Sequence, residues 1–153
     1  MILFPWQKRK AFFDAEEQES IVDAIREAER KTSGEIRLFV ESRCRFVDAI
    51  DRAAELFYRL KMQDTEHRNA VLVYVAMKDQ QLAVFGDQNI HLKVGDEYWN
   101  TTVRKMLLEF DKSNYAHGIR KCITDIGQAL HFHFPYDKDT DKNELPDDIV
   151  FGK

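Results

Sequence analysis

The sequence AVLVYVA at residues 70–76 decides the fold, because it is almost entirely apolar and rich in β-branched residues. Such a run is typical of a strand that helices cover on both faces. The polar segment 77–80 and the short apolar run at 81–85 follow it directly. We therefore predict a central strand joined by a tight turn to an antiparallel hairpin partner.

The residues before this hairpin predict a βαβ unit. EIRLFVE at 35–41 has the β-branched and aromatic residues of a strand, and an apolar stripe predicts a helix near 46–61. In such a unit the two strands are parallel and the crossover is right-handed. The predicted inner stripe of the helix consists of Phe46, Ile50, Ala53, Ala54 and Phe57.

Further helices are expected to flank the sheet. Asp14 and Glu17 have the spacing of a capping box, so we predict a helix there. After an irregular stretch, Asp96 is expected to cap a helix, and a last helix should run from near Ser113 to His133. The prediction is an α/β fold, a three-layer α/β/α sandwich with a small mixed β-sheet flanked by helices.

The chain length is that of one domain, and no linker-like stretch divides it. We expect a lead-in at 1–13, the α/β/α domain at 14–134 and an acidic tail at 135–153. The apolar residues 149–151 should let that tail fold back on the domain.

Charge and composition exclude several partners. The net charge of −4 offers no general attraction to nucleic acid, and no stretch has the apolar length of a membrane helix or signal peptide. Cys44 and Cys122 lie far apart in otherwise apolar patterns, as buried free thiols do in a reducing compartment. We expect a cytoplasmic monomer that binds neither nucleic acid nor membrane.

Four segments together resemble the short form of the TPM domain family. They are TSGEIRLFVE at 32–41, RNAVLVYVAMKDQQLAVFGD at 68–87, YWNTTVRKMLLEF at 98–110 and FPYDKDTDKNELPDDIVFGK at 134–153. The family is similar to a thylakoid-lumen acid phosphatase, a photosystem II repair factor and a modulator of acetylcholine receptors. The resemblance implies an α/β/α sandwich, calcium or another divalent cation as ligand, and a phosphatase-like activity.

This chain departs from the longer members of the family at one position near the predicted site. Those members usually carry an acidic residue just before the equivalent of Asn69, where this sequence has Arg68. The signal peptide and trailing membrane helix of the longer members also have no counterpart in this sequence, which favours a cytoplasmic protein.

The predicted topology brings polar residues to one edge of the sheet. Glu35 and Asn69 lie at the amino-terminal ends of the parallel strands, and Asp87 follows the hairpin strand. With Asp96 and Glu97 they could offer oxygen ligands to Ca²⁺ or Mg²⁺. The alternative is that Asp87 makes a turn, Asp96 caps a helix and Glu35 is solvated.

Two other motifs are poor metal sites. The sequence DKDTD at 137–141 matches the first positions of an EF-hand loop, but Lys142 and Asp148 replace its required Gly and Glu. His131 and His133 are two apart, so on a helix they diverge and zinc binding is not expected.

The sequence leaves three classes of function open. The leading hypothesis is a divalent-cation module with a possible protein partner. The alternative is a metal-dependent phosphatase, a phosphomonoesterase at the same edge in which Asp87 could attack phosphorus and His91 is the nearest candidate acid or base. The third is a purely structural interaction protein.

Overall fold

A computed structural model of the chain describes residues 12–137 and 147–152. These residues form helices α1–α4 and strands β1–β4. In chain order the elements are α1 Ala15–Glu29, β1 Glu35–Glu41, α2 Ala49–Arg59, β2 Ala70–Ala76, β3 Gln81–Gly86, α3 Gln88–Asp111, α4 Tyr115–His133 and β4 Val150–Phe151. No helix among the described residues has the length and apolar content that crossing a membrane requires.

The four strands form one mixed sheet in the order β3-β2-β1-β4. β1 and β2 are parallel, with Glu35 opposite Ala70 and Glu41 opposite Ala76. β3 runs antiparallel to β2, and β4 lies parallel to β1 on its other side. The predicted βαβ unit and hairpin are thereby confirmed.

Helices cover both faces of the sheet, and every residue of β1 and β2 is therefore buried. On one face, alternate side chains such as Ile36 and Val73 pack against α1, α3 and α4. On the other face, Leu72 and Tyr74 pack against α2. The three-layer α/β/α sandwich predicted from the sequence is confirmed.

The predicted inner stripe of α2 is wrong at its amino-terminal end. The helix begins at Ala49 rather than near residue 46, and Ala53 and Phe57 are buried as expected. The side chain of Phe46 is 100% exposed, and that of Ile50 is 48% exposed. Phe46 has a φ of 75°, so the left-handed backbone there belongs to a loop and turns its side chain outward.

The segment predicted to be irregular, residues 88–97, is largely helical. Asp87 rather than Asp96 caps α3, with its side chain accepting a hydrogen bond from the Gln88 amide at 2.8 Å. Gly95 interrupts the helix with a φ of 79°, which suits glycine. Asp96 follows this kink inside α3.

The capping box at the start of α1 is confirmed, since Asp14 and Glu17 exchange side-chain and backbone hydrogen bonds. The chain returns at 147–152 to the open edge of β1. The Gly152 amide donates to the Val40 carbonyl at 2.8 Å, and Ile149 packs against the core.

Glu29 ties this returning segment to α1 and β1. Its Oε2 accepts from the Ile36 amide at 2.8 Å, and its carboxyl group hydrogen-bonds the Asp147 side chain. Burial raises the pKa of Glu29 well above its usual range, and the hydrogen bond with Asp147 adds to this rise. The folded protein therefore keeps a proton that the unfolded chain releases near its ordinary pKa.

We predict that Glu29→Gln stabilises the protein above the ordinary carboxyl pKa. Wild-type stability should fall as the pH rises from about 5 to about 8, because in this range the unfolded chain holds fewer protons than the folded protein. The amide of Gln needs no such proton, so the variant should be more stable by at least about 1 kcal/mol at the higher pH. Urea unfolding at both pH values measures this difference.

Glu27→Gln is the matched control, since Glu27 is an exposed acid of the same helix, paired with Arg30. Glu27→Gln should leave the pH dependence of the free energy of unfolding unchanged. A Glu29→Gln variant that is less stable than the wild type at both pH values would contradict the conclusion that the folded protein keeps a proton on Glu29.

Candidate functional site

A cavity of about 690 Å³ opens beside β3, between α2 and the first half of α3. Its wall includes apolar side chains from all three elements, among them Ile50, Phe85 and Trp99. Polar groups share the same cavity: Arg68, Asp87, His91, Asp96, Asn100 and Arg104. This combination of an apolar wall and a few polar groups is typical of small-molecule sites.

An ion pair between Arg68 and Asp87 forms one side of the cavity. Arg68 Nε donates to Asp87 Oδ2 at 2.7 Å, and Nη2 donates to Oδ1 at 2.9 Å. The hydrogen bonds from Arg68 raise the pKa of its guanidinium, and Asp87 is buried with 2% of its surface exposed. This bidentate geometry holds the carboxylate in place and hinders its use as a nucleophile.

The backbone positions this ion pair. The Asp87 amide donates to the Ala70 carbonyl at 2.8 Å, and the Asn89 amide donates to the Arg68 carbonyl at 3.0 Å. The hairpin thus continues beyond the ends of β2 and β3. Arg68 and Asp87 meet because they flank the two strands of that hairpin.

His91 is held by two neighbours in the cavity wall. The Trp99 indole N–H donates to His91 Nδ1 at 3.0 Å, which places the proton of the neutral ring on Nε2. That nitrogen lies 3.5 Å from Asp96 Oδ1. Gly86 makes room for this arrangement, since a Cβ there would lie 2.4 Å from the Trp99 ring.

Glu35 and Asn69 lie at the same edge of the sheet as Asp87, as the topology predicted. Both are buried, with 2% and 1% of their surfaces exposed. Asn69 Nδ2 donates to Ser33 Oγ at 3.2 Å, whereas its buried Oδ1 accepts no hydrogen bond from the described residues. Glu35 is directly opposite Ala70, the residue after Asn69.

Asp96 and Glu97 lie farther along α3 and are exposed, with 89% and 80% of their side-chain surfaces accessible. Asp96 lines the cavity with Asp87, while Glu97 pairs with Arg104 at 3.0 Å. In the described part of the chain, no three His, Cys, Asp or Glu side chains are grouped to hold a metal ion. Cation binding by these residues stays a prediction.

The remaining candidates have simpler surroundings. His131 Nδ1 lies 2.7 Å from the Lys31 carbonyl. Cys44 and Cys122 are free thiols, and burial raises the pKa of Cys122 above its usual range. Apart from Asp137, the EF-hand-like sequence at 137–141 lies outside the described residues.

Sequence reasoning missed Arg68 as a partner of Asp87, as well as the roles of Trp99 and Asp96 in holding His91. A signal for the first was present, because a basic residue just before one hairpin strand and an acidic residue just after the other lie side by side in an antiparallel pair. The contacts of His91 could be predicted only by recognising residues 88–94 as helix.

Comparisons with known proteins agree with this architecture. A family model of the TPM domain matches residues 7–129. The NMR structure of BA42 protein from the psychrophilic bacterium Bizionia argentinensis is 43% identical, covers 90% of this chain and 94% of its own, and superposes with a TM-score of 0.82. No curated protein matches significantly. From the extent of the family match, the chain belongs to the TPM domain family.

Proposed function

We propose that this TPM domain is a divalent-cation-binding module that takes Ca²⁺ or Mg²⁺ at the edge formed by Glu35, Asn69 and Asp87. The observation that carries the proposal is the buried Asn69 Oδ1, which accepts no hydrogen bond from the described residues. Buried amide oxygens are normally satisfied, and hard cations coordinate amide and carboxylate oxygens.

Two further acids near this edge, Asp96 and Glu97, support a weak site. Asp96 lines the cavity with Asp87 and could reach the cation through water, while Glu97 adds negative charge nearby on α3. Mg²⁺ in particular keeps several waters when proteins bind it. The cation would be only partly dehydrated.

Arg68 opposes this binding. Its guanidinium already uses both oxygens of Asp87, and its positive charge repels a cation that approaches the same carboxylate. The acidic residue that usually stands at this position in the longer family members would attract the cation instead. We therefore expect Arg68 to set the affinity.

We predict that Arg68→Gln tightens Ca²⁺ binding, by about tenfold, because it removes a positive charge that repels the cation at the same carboxylate. A Ca²⁺ titration followed by amide NMR shifts of residues 33–36, 68–70 and 86–98 measures the affinity. Asn69→Ala should weaken binding in the same experiment.

Arg59→Gln is the matched control, because Arg59 is an exposed arginine at the end of α2. It should change the affinity little. If the wild type shows no saturable shifts, or if Asn69→Ala binds as well as the wild type, the cation site at this edge is wrong.

A metal-dependent phosphomonoesterase is the second candidate, and the two arginines that line the cavity with His91 favour it. Trp99 and Asp96 fix the position of the His91 ring in the cavity wall, where it is the nearest candidate acid or base. Arg68 and Arg104 line the same cavity and could attract a phosphate. Asp87 is less suited to attack phosphorus, because Arg68 holds it.

We predict that any phosphatase activity depends on His91. Turnover of p-nitrophenyl phosphate with Mg²⁺ should fall by about 10²-fold or more in His91→Gln, since general acid–base catalysis contributes about that much. The control is His131→Gln, because His131 lies on α4 and not in the cavity wall. This variant should keep full turnover. A wild-type protein without turnover would rule out the enzyme and leave the cation module.

The proposal includes a monomeric, cytoplasmic protein with a protein partner. Cys44 and Cys122 are free, which supports a reducing compartment. Leu92, with 80% of its surface exposed on α3 near the cavity, supports a protein contact there.

A further inference from the structure

A second cavity, of about 640 Å³, lies at the opposite end of the sheet, between the loop at 42–48, the start of α2 and the turn after β2. We infer that this cavity binds a phosphate monoester group that is attached to an apolar moiety. We call it the loop cavity. It shares no lining residue with the cavity that contains Asp87.

The loop cavity occupies the position at which α/β sheets usually bind ligands, outside the carboxyl ends of parallel strands. The Met77 amide donates to the Glu41 carbonyl, and the Lys78 amide donates to the Ser42 carbonyl, each at 2.8 Å. These bonds hold the segments that leave β1 and β2 side by side. Residues that follow both strands therefore face one cavity.

A buried ion pair lies at the inner side of the loop cavity. Arg52 Nε and Nη2 donate to the two oxygens of Glu41 at 2.9 and 3.1 Å, and the Tyr74 hydroxyl also donates to Glu41. Glu41 has only 5% of its surface exposed. Its negative charge is thus compensated, and it does not repel an anion strongly.

Positive charge predominates in the rest of the lining, since its other acid, Glu55, pairs with Arg52 and Arg59. Arg43 is held by Asp79, with Nη1 at 3.2 Å from Oδ1. Arg45 and Lys78 also line the cavity, are exposed, and form no ion pair with the part of the chain described. Two uncompensated cations match the charge of a phosphate monoester, which is about −1.5 to −2 near neutral pH.

The two cations differ in a way that suits phosphate. The guanidinium of Arg45 can donate two parallel hydrogen bonds to phosphate oxygens, whereas the ammonium of Lys78 acts as a compact point charge. The cavity volume lies in the range of small-molecule sites.

An apolar rim adjoins these charges. Phe46 lines the cavity with 100% of its surface exposed, and Val47 next to it is 46% exposed. The loop holds Phe46 at a φ of 75°, which non-glycine residues rarely adopt. A ligand with an apolar group beside its phosphate would cover this rim. Both a soluble organophosphate and a phosphatidic acid headgroup have that chemistry.

The test is a titration of the protein with phenylphosphonate, an aromatic phosphate mimic that a phosphatase cannot hydrolyse, followed by amide NMR shifts. The wild type should show saturable shifts at 42–48 and 77–79. Binding should weaken by about tenfold or more in the double variant Arg45→Ala/Lys78→Ala, because each lost hydrogen bond to a charged group costs about that factor.

Lys105→Ala/Lys121→Ala is the matched control, since it removes the same charge from exposed residues on α3 and α4. It should bind as the wild type does. Equal weakening in both double variants, or no saturable shifts in the wild type, would overturn the site. The result does not depend on the cation proposal, because the variants and the reporting amides lie at the other end of the sheet.

A second arm identifies the source of the phosphate. Sedimentation with phosphatidylcholine vesicles that contain phosphatidic acid, compared with vesicles that lack it, tests the lipid headgroup. Binding that needs phosphatidic acid and is lost in Phe46→Ser supports a lipid ligand. Phenylphosphonate binding without vesicle binding supports a soluble organophosphate.

Discussion

β1 and β2 pair in parallel over seven residues, from Glu35 opposite Ala70 to Glu41 opposite Ala76, and both strands are buried throughout. Parallel strands need a crossover helix, and burial on both faces needs helices on both sides. These requirements position α2 on one face and the other helices on the opposite face. Little of the sheet surface remains for polar chemistry, so polar side chains gather at the strand ends. Both cavities lie along the rim of the sheet for this reason.

Arginine neutralises a buried carboxylate in each cavity. Arg68 holds Asp87 beyond the start of β2, and Arg52 holds Glu41 at the end of β1. Each arginine compensates the charge of a carboxylate that is almost fully buried, with 2% of Asp87 and 5% of Glu41 exposed. The pairs therefore fix the geometry of each rim while leaving other groups open to ligands. In the first cavity these groups include His91, and in the second they are Arg45 and Lys78, which form no ion pair with residues 12–137 and 147–152.

The strands and the sandwich could be predicted because alternation and apolar runs report burial directly. Residues 88–94 were missed as helix because their polar residues obscure the apolar face that Ile90 contributes, and Asp87 looked like a turn residue. Phe46 was assigned inward from its spacing alone, whereas the left-handed backbone of its loop directs it to solvent. The site was only partly predictable. Topology brought Glu35, Asn69 and Asp87 to one edge, but the pairing of Asp87 with Arg68 was missed, although the two residues flank the strands of one hairpin.

The outer edge of β1 is covered in two places. The Glu29 side chain binds the Ile36 amide, and β4 pairs with Phe39 and Val40. An uncovered strand edge can recruit a strand from another molecule. Proteolytic loss of residues 147–152 would open half of this edge and expose a template for intermolecular β-sheet growth. In the folded protein, the short returning segment thus covers the part of this edge that the Glu29 side chain leaves open.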